Sequence, residues 1–261
     1  MSTEWPKSIA RRLDFQGAQS NYFGVPAASA EPMRGGDFVG DTNQGGSCNA
    51  DVITMNPHCH GTHTEGIGHV VSERVDVYDI LPLHPVSAIL VTLADVPASE
   101  TTDRCPPSMR NEDRILTQSA LESAVSPEQL SEFDALIIRT LPNDEAKAHR
   151  HYTDSTDYPY FSHTAMRMIV DAGIAHLLID TPSLDRLDDG GDLAVHRQFW
   201  RLPRRGHETT ASSRLSASIT EMIFVPSDIP DGAWRVMLQP TPFSGDAVPS
   251  NPILLPRQGS V

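Results

Sequence analysis

Short apolar runs bounded by turn-forming residues are the main periodic feature of this chain. Several have the length of a strand, are rich in β-branched residues and are almost continuously hydrophobic: 86–93, 135–140, 175–180, 219–225 and 234–239. Continuous apolar runs of this length are typical of strands that are covered on both faces. The pattern therefore predicts a buried sheet.

Helical periodicity is present in fewer segments. Ser162 can cap a helix whose apolar residues share one face, and Gly173 stands where a left-handed residue would end it. Residues 115–125 form a second amphipathic segment, and residues 128–133 predict a further short turn. Strands and a few helices in mixed order favour an α/β or an α+β fold. We predict the α/β class with a mixed central sheet.

Glycine and proline punctuate the first part of the chain, so residues 1–58 are expected to be a loop-rich N-terminal segment. No flexible linker divides the sequence. We therefore predict a single domain over residues 1–261. Residues 142–160 are polar and long for a connection, which is typical of loops that are functional or mobile.

Composition and charge narrow the class of partner. Lysine and arginine total 20 against 34 acidic residues, giving a formal charge of −14. Such a surface repels phosphates, so no nucleic acid is expected to bind. No apolar window spans a membrane, and mean hydropathy is −0.30. The N-terminus lacks the apolar core of an export signal, and the 3 cysteines are too few for a disulfide framework. A cytoplasmic location is the expectation.

Histidine is concentrated in residues 56–69, a glycine-rich segment that also contains a thiol and a carboxylate. These are the side chains that bind transition metals. The ligand-type residues with odd sequence numbers are Cys59, His63, Glu65 and His69. In extended backbone they converge on one side, whereas His58 and His60 point elsewhere. The segment therefore predicts a metal or catalytic site.

This segment resembles the signature of the cyclase family of metal-dependent hydrolases, which includes bacterial kynurenine formamidase and isatin hydrolase. The family motif reads His-x-Gly-Thr-His-x-Asp-x-Pro-x-His. Residues 61–63 match its centre, and His69 matches its last histidine. Glu65 replaces the aspartate, Ile67 replaces the proline, and Cys59 stands in place of the first histidine.

The resemblance continues downstream. Phe161 and Ser162 open a helix as in the family, residues 179–185 resemble its strand-and-turn segment, and residues 219–221 resemble the strand that bears its last ligand. The resemblance implies the swivelling β/β/α fold of that family in one cyclase-like domain. It also implies assembly as a homodimer or homotetramer.

Carried over by position, the family's metal ligands fall on Cys59, His63, Glu65, His196 and Glu221. The first two would hold one metal, Glu65 would ligate or bridge, and the last two would complete a second position. The alternative is that Cys59 is a small buried residue and that one metal is held by His63, Glu65 and a third group. A divalent metal is implied, with zinc the first choice because a thiolate suits it, and manganese the second.

Two other assignments follow from the same resemblance. His69 is expected to be the catalytic proton donor and acceptor. The late glutamate has a competitor, because the usual spacing in the family would point to Glu208 instead. Glu221 is preferred because it lies in a predicted strand between apolar residues, whereas Glu208 lies in a polar loop.

The expected function is metal-dependent cleavage of a C–N bond in a small non-peptide amide, either an N-formyl aromatic amine or a cyclic amide. A metal lowers the pKa of bound water to about 7 and polarises a carbonyl. Gln16, Asn21, Tyr22 and Phe23, together with residues 142–160, are candidate substrate contacts. The alternatives are a cysteine-nucleophile amidase that uses Cys59 and a non-catalytic metal-binding or small-molecule-binding protein on the same fold.

Overall fold

The computed structural model describes residues 5–105, 109–154 and 156–257. Within these ranges the strands, in chain order, are β1 (Lys7–Ser8), β2 (Asn21–Tyr22), β3 (Ser29–Pro32), β4 (Arg34–Gly35), β5 (Phe38–Val39), β6 (Asp51–Thr54), β7 (His63–Glu65), β8 (Val86–Leu93), β9 (Val96–Pro97), β10 (Arg114–Leu116), β11 (Ala135–Thr140), β12 (His151–Tyr152), β13 (Tyr160–Phe161), β14 (His176–Ile179), β15 (Ser218–Glu221), β16 (Gly232–Met237), β17 (Ala247–Pro249) and β18 (Ile253–Leu255). The α-helices are α1 (Val77–Ile80), α2 (Gln118–Ala124), α3 (Pro127–Leu130), α4 (His163–Asp171) and α5 (Ala194–Phe199).

A 9-stranded sheet in the order β1-β18-β16-β8-β11-β14-β15-β7-β17 organises the molecule. Its central strands β8, β11, β14 and β15 are parallel. Antiparallel strands extend it on both sides, with β16 beside β8 and β7 beside β15. The prediction of an α/β fold with a mixed central sheet is therefore confirmed.

Both faces of the central strands are buried, as their continuous hydrophobicity predicts. On one face, alternate residues such as Ile89, Leu136 and Leu177 pack against apolar residues of α2, α4 and α5. The residues between them, such as Leu90 and Ile137, pack against the N-terminal segment, α1 and the chain that follows β15. Period-two alternation therefore supplies two separate cores from the same strands.

Most predicted elements form where the sequence places them. The strands at 86–93 and 135–140 match β8 and β11, and Ser162 caps α4 through a bond from the Ala165 amide. Gly173 follows α4 with φ +86°. The run 219–225 stops being a strand at Glu221, because Met222 adopts φ +53° and turns the chain.

The segment 115–125 differs from the prediction of one amphipathic helix. Its first residues belong to β10, where Ile115 pairs with Tyr160 of β13. The helix α2 begins only at Gln118, because the Thr117 hydroxyl caps it by accepting from the Ala120 amide. Apolar side chains here serve a strand and a helix in succession.

The N-terminal segment is loop-rich, with strands of two to four residues. Its first four residues, on which the expectation of no export signal partly rests, lie outside the described residues. None of the helices in the described ranges is long and apolar enough to span a membrane.

Candidate metal centre

The antiparallel pairing of β7 with β15 assembles the centre of the site. His63 lies directly opposite Glu221, and Glu65 lies opposite Ile219. Because side chains alternate along a strand, His63, Glu65 and Glu221 share one face of the sheet. On the other face, Thr64 and Thr220 are joined by a 2.8 Å hydrogen bond between their hydroxyls. The register is thus fixed on both faces.

His196 reaches the same point from α5. Its Nε2 lies 3.1 Å from Glu65 Oε1 and 3.4 Å from Glu221 Oε1, while His63 Nε2 lies 3.4 Å from Glu221 Oε2. All four side chains are buried, with exposures of 0 to 3%. The structure therefore brings together four of the residues that the sequence predicts as ligands.

Hydrogen bonds on the far side of each ring orient these histidines. His63 Nδ1 lies 3.0 Å from the carbonyl oxygen of Gly61, whose φ of +122° turns that carbonyl toward the ring. His196 Nδ1 lies 2.6 Å from Asp185 Oδ2. A neutral ring that donates from Nδ1 has a free lone pair on Nε2, and metal-binding histidines are held in this way by a hydrogen bond on the far side of the ring.

A second group of side chains lies near Oε2 of Glu65, the oxygen that does not face His196. His58 Nδ1 lies 3.1 Å from Glu65 Oε2, and His69 Nε2 lies 3.9 Å from the same atom. Asp246 Oδ2 contacts both rings on their outer side, 2.9 Å from His58 Nε2 and 3.3 Å from His69 Nδ1. Glu65 is therefore the common neighbour of both groups.

The charges within the site depend strongly on one another. Burial favours the neutral acid, yet the imidazoles of His69 and His196 hold the pKa of Glu65 well below its usual range. Burial likewise opposes charge on His196, but Glu65 and Asp185 raise the pKa of that ring well above its usual value. The carboxylate is ionised and attracts a cation.

The donor set fits a divalent metal. His63 Nε2, both oxygens of Glu65 and Glu221 Oε1 are buried and lack a hydrogen-bond partner among the described residues. Ligand atoms of His63, Glu65 and Glu221 lie within 4.8 Å of one another. Two ligands about 2.1 Å from one ion are about 3 to 3.5 Å apart, which the separations of 3.1 and 3.4 Å match. A cation would also relieve the repulsion between two buried carboxylates.

Cys59 is not part of either group of converging ligand atoms. It is buried in an apolar cluster with Tyr22, Cys105 and Met222. Burial, reinforced by the charge of Glu221, raises the pKa of the Cys59 thiol to about 11. The raised pKa disfavours a role of Cys59 as a nucleophile, because the thiolate is the reactive form.

The structure also corrects the expected direction of His58. The prediction that odd-numbered residues share one side applies only to extended backbone. Here the amides of Cys59 and His60 both donate to the carbonyl of Asn56, so the segment is a turn. The turn directs His58 into the site and Cys59 away from it. His60 does lie elsewhere, with Nε2 3.0 Å from the carbonyl oxygen of Pro26.

Asp185 and Asp246 are site residues outside the predicted ligand set. Asp185 is the last residue of the 179–185 segment. Its carboxylate accepts the backbone amides of Val195 and His196 and contacts the ring of His196. Asp246 immediately precedes β17 and is far along the chain from the histidine segment. Of the two competing glutamates, Glu221 lies in the site and Glu208 is exposed.

A pocket of about 70 Å³ opens onto the centre. Its wall includes His58, Glu65, His69, His196 and Glu221, and Phe23 lies at it with its side chain largely exposed.

Two of the candidate substrate contacts lie apart from this pocket. Gln16 is exposed and its side chain reaches toward the Ala30 carbonyl, while the Asn21 amide is turned back to the Val25 carbonyl. Of the four single residues predicted as substrate contacts, the structure places Tyr22 and Phe23 at the pocket.

The segment 142–160 lines a different cavity, of about 300 Å³. Lys147 and Asp180 lie there, joined by a 2.8 Å ion pair. The link to the metal centre is indirect, because the Tyr158 hydroxyl donates to the carbonyl of Asp185. The described residues of the segment therefore contact the site only indirectly, and none of them lines its pocket.

The model of the Cyclase family matches residues 7–186, more than half of the chain and the part that contains the histidine segment. The chain belongs to the Cyclase family. The resemblance read from the motif at 59–69 is thereby confirmed. No curated protein matches this member of the family.

Solved structures share the fold of this Cyclase-family chain over almost its whole length. A predicted metal-dependent hydrolase from Bacillus stearothermophilus is 15% identical, with a TM-score of 0.60 over 97% of this chain and 98% of that chain. Isatin hydrolase A from Labrenzia aggregata, bound to benzyl benzoate, is 14% identical, with a TM-score of 0.62 over 97% and 94%. An isatin hydrolase bound to the product analogue thioisatinate is 12% identical, with a TM-score of 0.60 over 97% and 92%. These TM-scores show a common fold.

Proposed function

We propose that this protein is a metal-dependent hydrolase that cleaves the C–N bond of a non-peptide amide, either an N-formyl aromatic amine or a cyclic amide. The observation that carries the proposal is the set of buried, unpaired donor atoms on His63, Glu65 and Glu221, which face one point beside a pocket. Membership of the Cyclase family and the fold shared with metal-dependent hydrolases support it.

His63, Glu65, His196 and Glu221 would hold the metal through imidazole nitrogens and carboxylate oxygens. When bound there, a divalent metal supplies Lewis acidity, which lowers the pKa of water and polarises a carbonyl. Because Cys59 lies outside the set, the ligands are all nitrogen and oxygen, which suits manganese as well as zinc.

His69 is the proton carrier in this proposal. It lies at the pocket and is 25% exposed, so it can meet a substrate. Its Nδ1 is held by Asp246, which leaves Nε2 directed inward. Hydrolysis adds the oxygen of water to the carbonyl carbon, breaks the C–N bond and requires a proton on the departing nitrogen. The His69 imidazole, placed at the pocket, can deliver that proton.

The pocket limits which part of the substrate enters. A volume of about 70 Å³ accommodates the reacting amide group and little more. Phe23, which is 62% exposed at this pocket, offers an aromatic face to the remainder of the substrate. This arrangement favours an amide with an aromatic substituent. A homodimer or homotetramer is part of the proposal, and light scattering on the purified chain measures it.

The test is a substrate screen on the metal-reconstituted protein, with N-formyl aromatic amines, lactams and cyclic imides assayed in parallel. We expect hydrolysis of at least one class, its loss after chelation and its return with zinc or manganese. Glu221→Gln is the inactive control. Full activity in the chelated, metal-free protein would refute the proposal.

A further inference from the structure

His58 and Asp246 form a pair that belongs to no assigned part of the site. Asp246 is fixed beside Glu65 by backbone contacts: its carbonyl accepts the Gly66 amide at 3.0 Å, and the next residue, Ala247, pairs with Glu65 in the β7–β17 ladder. The Asp246 carboxylate is thereby placed on the outer side of the His58 ring, where it contacts Nε2 at 2.9 Å.

That contact determines what the other ring nitrogen can do. A neutral histidine that donates from Nε2 to a carboxylate holds its lone pair on Nδ1. In His58, Nδ1 faces Glu65 Oε2 at 3.1 Å. Both oxygens of Glu65 are buried and lack a hydrogen-bond partner among the described residues. A lone pair and an unpaired carboxylate oxygen repel each other unless a proton or a cation lies between them.

The separation distinguishes His58 from its neighbour His69. Two ligands of one zinc-like ion are about 3 to 3.5 Å apart. The distance from His58 to Glu65 lies in that range, and so do those from His196 to Glu65 and from His63 to Glu221. His69 is 3.9 Å from Glu65, which is longer. The geometry suits His58 as a ligand and leaves His69 free to carry protons.

We propose that His58 is a metal ligand of this chain and that Asp246 is the positioning residue that holds it on Glu65. His58 thus takes the place that the sequence resemblance gives to Cys59, whose thiol is turned into the apolar cluster with Tyr22 and Met222. Asp246 also holds His69, so a single carboxylate aligns a ligand and the proton carrier. The proposal rests on the metal centre of the proposed function.

Calorimetric titration of the metal-free protein with Zn²⁺ tests the ligand assignment. His58→Gln is expected to weaken Zn²⁺ binding at least tenfold, and Asp246→Asn to weaken it by about 10- to 100-fold. Cys59→Ser is expected to bind Zn²⁺ as the unchanged chain does. His84→Gln, which alters an exposed histidine at a distance, is the matched control. Thermal unfolding of each metal-free variant shows that it is folded.

The absorption spectrum of the Co²⁺-loaded protein supplies a second readout that a purely structural role would not change. We expect no thiolate-to-cobalt charge-transfer band, and we expect Asp246→Asn and His58→Gln to alter the visible bands, with Asp246→Glu restoring them. Unchanged binding in His58→Gln, or a thiolate band that Cys59→Ser abolishes, would overturn the proposal. Metal binding that depends on His58 in a protein without amide hydrolysis would instead refute only the proposed function.

Discussion

His63 and Glu221 face each other across neighbouring antiparallel strands, with His63 Nε2 3.4 Å from Glu221 Oε2. His63 Nε2 and Glu221 Oε1 are buried and lack hydrogen-bond partners among the described residues, so both are available to a metal. We therefore expect Glu221→Gln, which keeps the size and removes the charge, to weaken Zn²⁺ binding at least tenfold in calorimetric titration.

Glu208→Gln is the matched control for that prediction. Glu208 is the alternative ligand suggested by spacing, and it is exposed in the loop after Gly206. Its replacement is expected to leave metal binding unchanged. The opposite pattern, in which Glu208→Gln abolishes binding and Glu221→Gln does not, would show that the assigned glutamate is the wrong one.

Asp185 links α5 to the metal centre, and Asp185→Asn is expected to weaken both stability and metal binding. The buried carboxylate accepts two backbone amides at the start of α5 and contacts His196 Nδ1 at 2.6 Å. Loss of these charge-assisted bonds should lower the free energy of unfolding by about 1–3 kcal/mol and metal affinity by about 10- to 100-fold. Urea denaturation and calorimetry measure the two effects. Asp188→Asn, at an exposed position, should change neither.

The buried ion pair of Lys147 with Asp180 predicts a stability effect away from the centre. Lys147 also donates to Thr140, and Asp180 accepts both the amide and the hydroxyl of Thr140. Lys147→Met leaves the carboxylate buried without its cation, which should cost about 3–5 kcal/mol of unfolding free energy. Adding Asp180→Asn should recover part of that loss. If Lys147→Met alone were as stable in urea as the unchanged chain, this prediction would be contradicted.

His176 predicts how stability depends on pH. Burial lowers the pKa of His176 to about 4, whereas the unfolded chain titrates near the ordinary histidine value of about 6.5. Between these values the unfolded chain binds a proton that the folded chain does not, so the unfolding free energy falls as the pH falls. Once the pH lies below both pKa values, His176 has lowered the unfolding free energy by about 3 kcal/mol.

Urea denaturation at pH 7 and pH 4.5 measures this loss. His176→Gln should reduce the difference between the two pH values, and His84→Gln should leave it unchanged. Identical pH dependence in the unchanged chain and in His176→Gln would contradict the assignment.

The sequence predicts the sheet well because its strands are buried on both faces and therefore carry a continuous apolar signal. It also predicts that His63 and Glu65 lie on one face, since side chains alternate along an extended strand. Glu221 and His196 are found only through the resemblance to the family. The helix of His196 is 6 residues long, fewer than two turns, and has no periodic signal of its own.

The sequence does not predict the exchange of Cys59 for His58. That exchange depends on a turn at residues 56–60, and a shift of one position along a turn reverses the direction of a side chain. Asp246 is likewise hidden, because its contact with His58 depends on strand pairing between distant parts of the chain. Tertiary hydrogen bonds, which local patterns do not encode, decide both cases.

The most direct measurement is an anomalous difference map from crystals of the zinc-loaded or manganese-loaded protein, recorded at the absorption edge of the metal. The account predicts a peak enclosed by His63, Glu65, His196 and Glu221, with His58 and without Cys59 in contact with it. A fully loaded crystal with no peak at that position, or with its peak on Cys59, would contradict it.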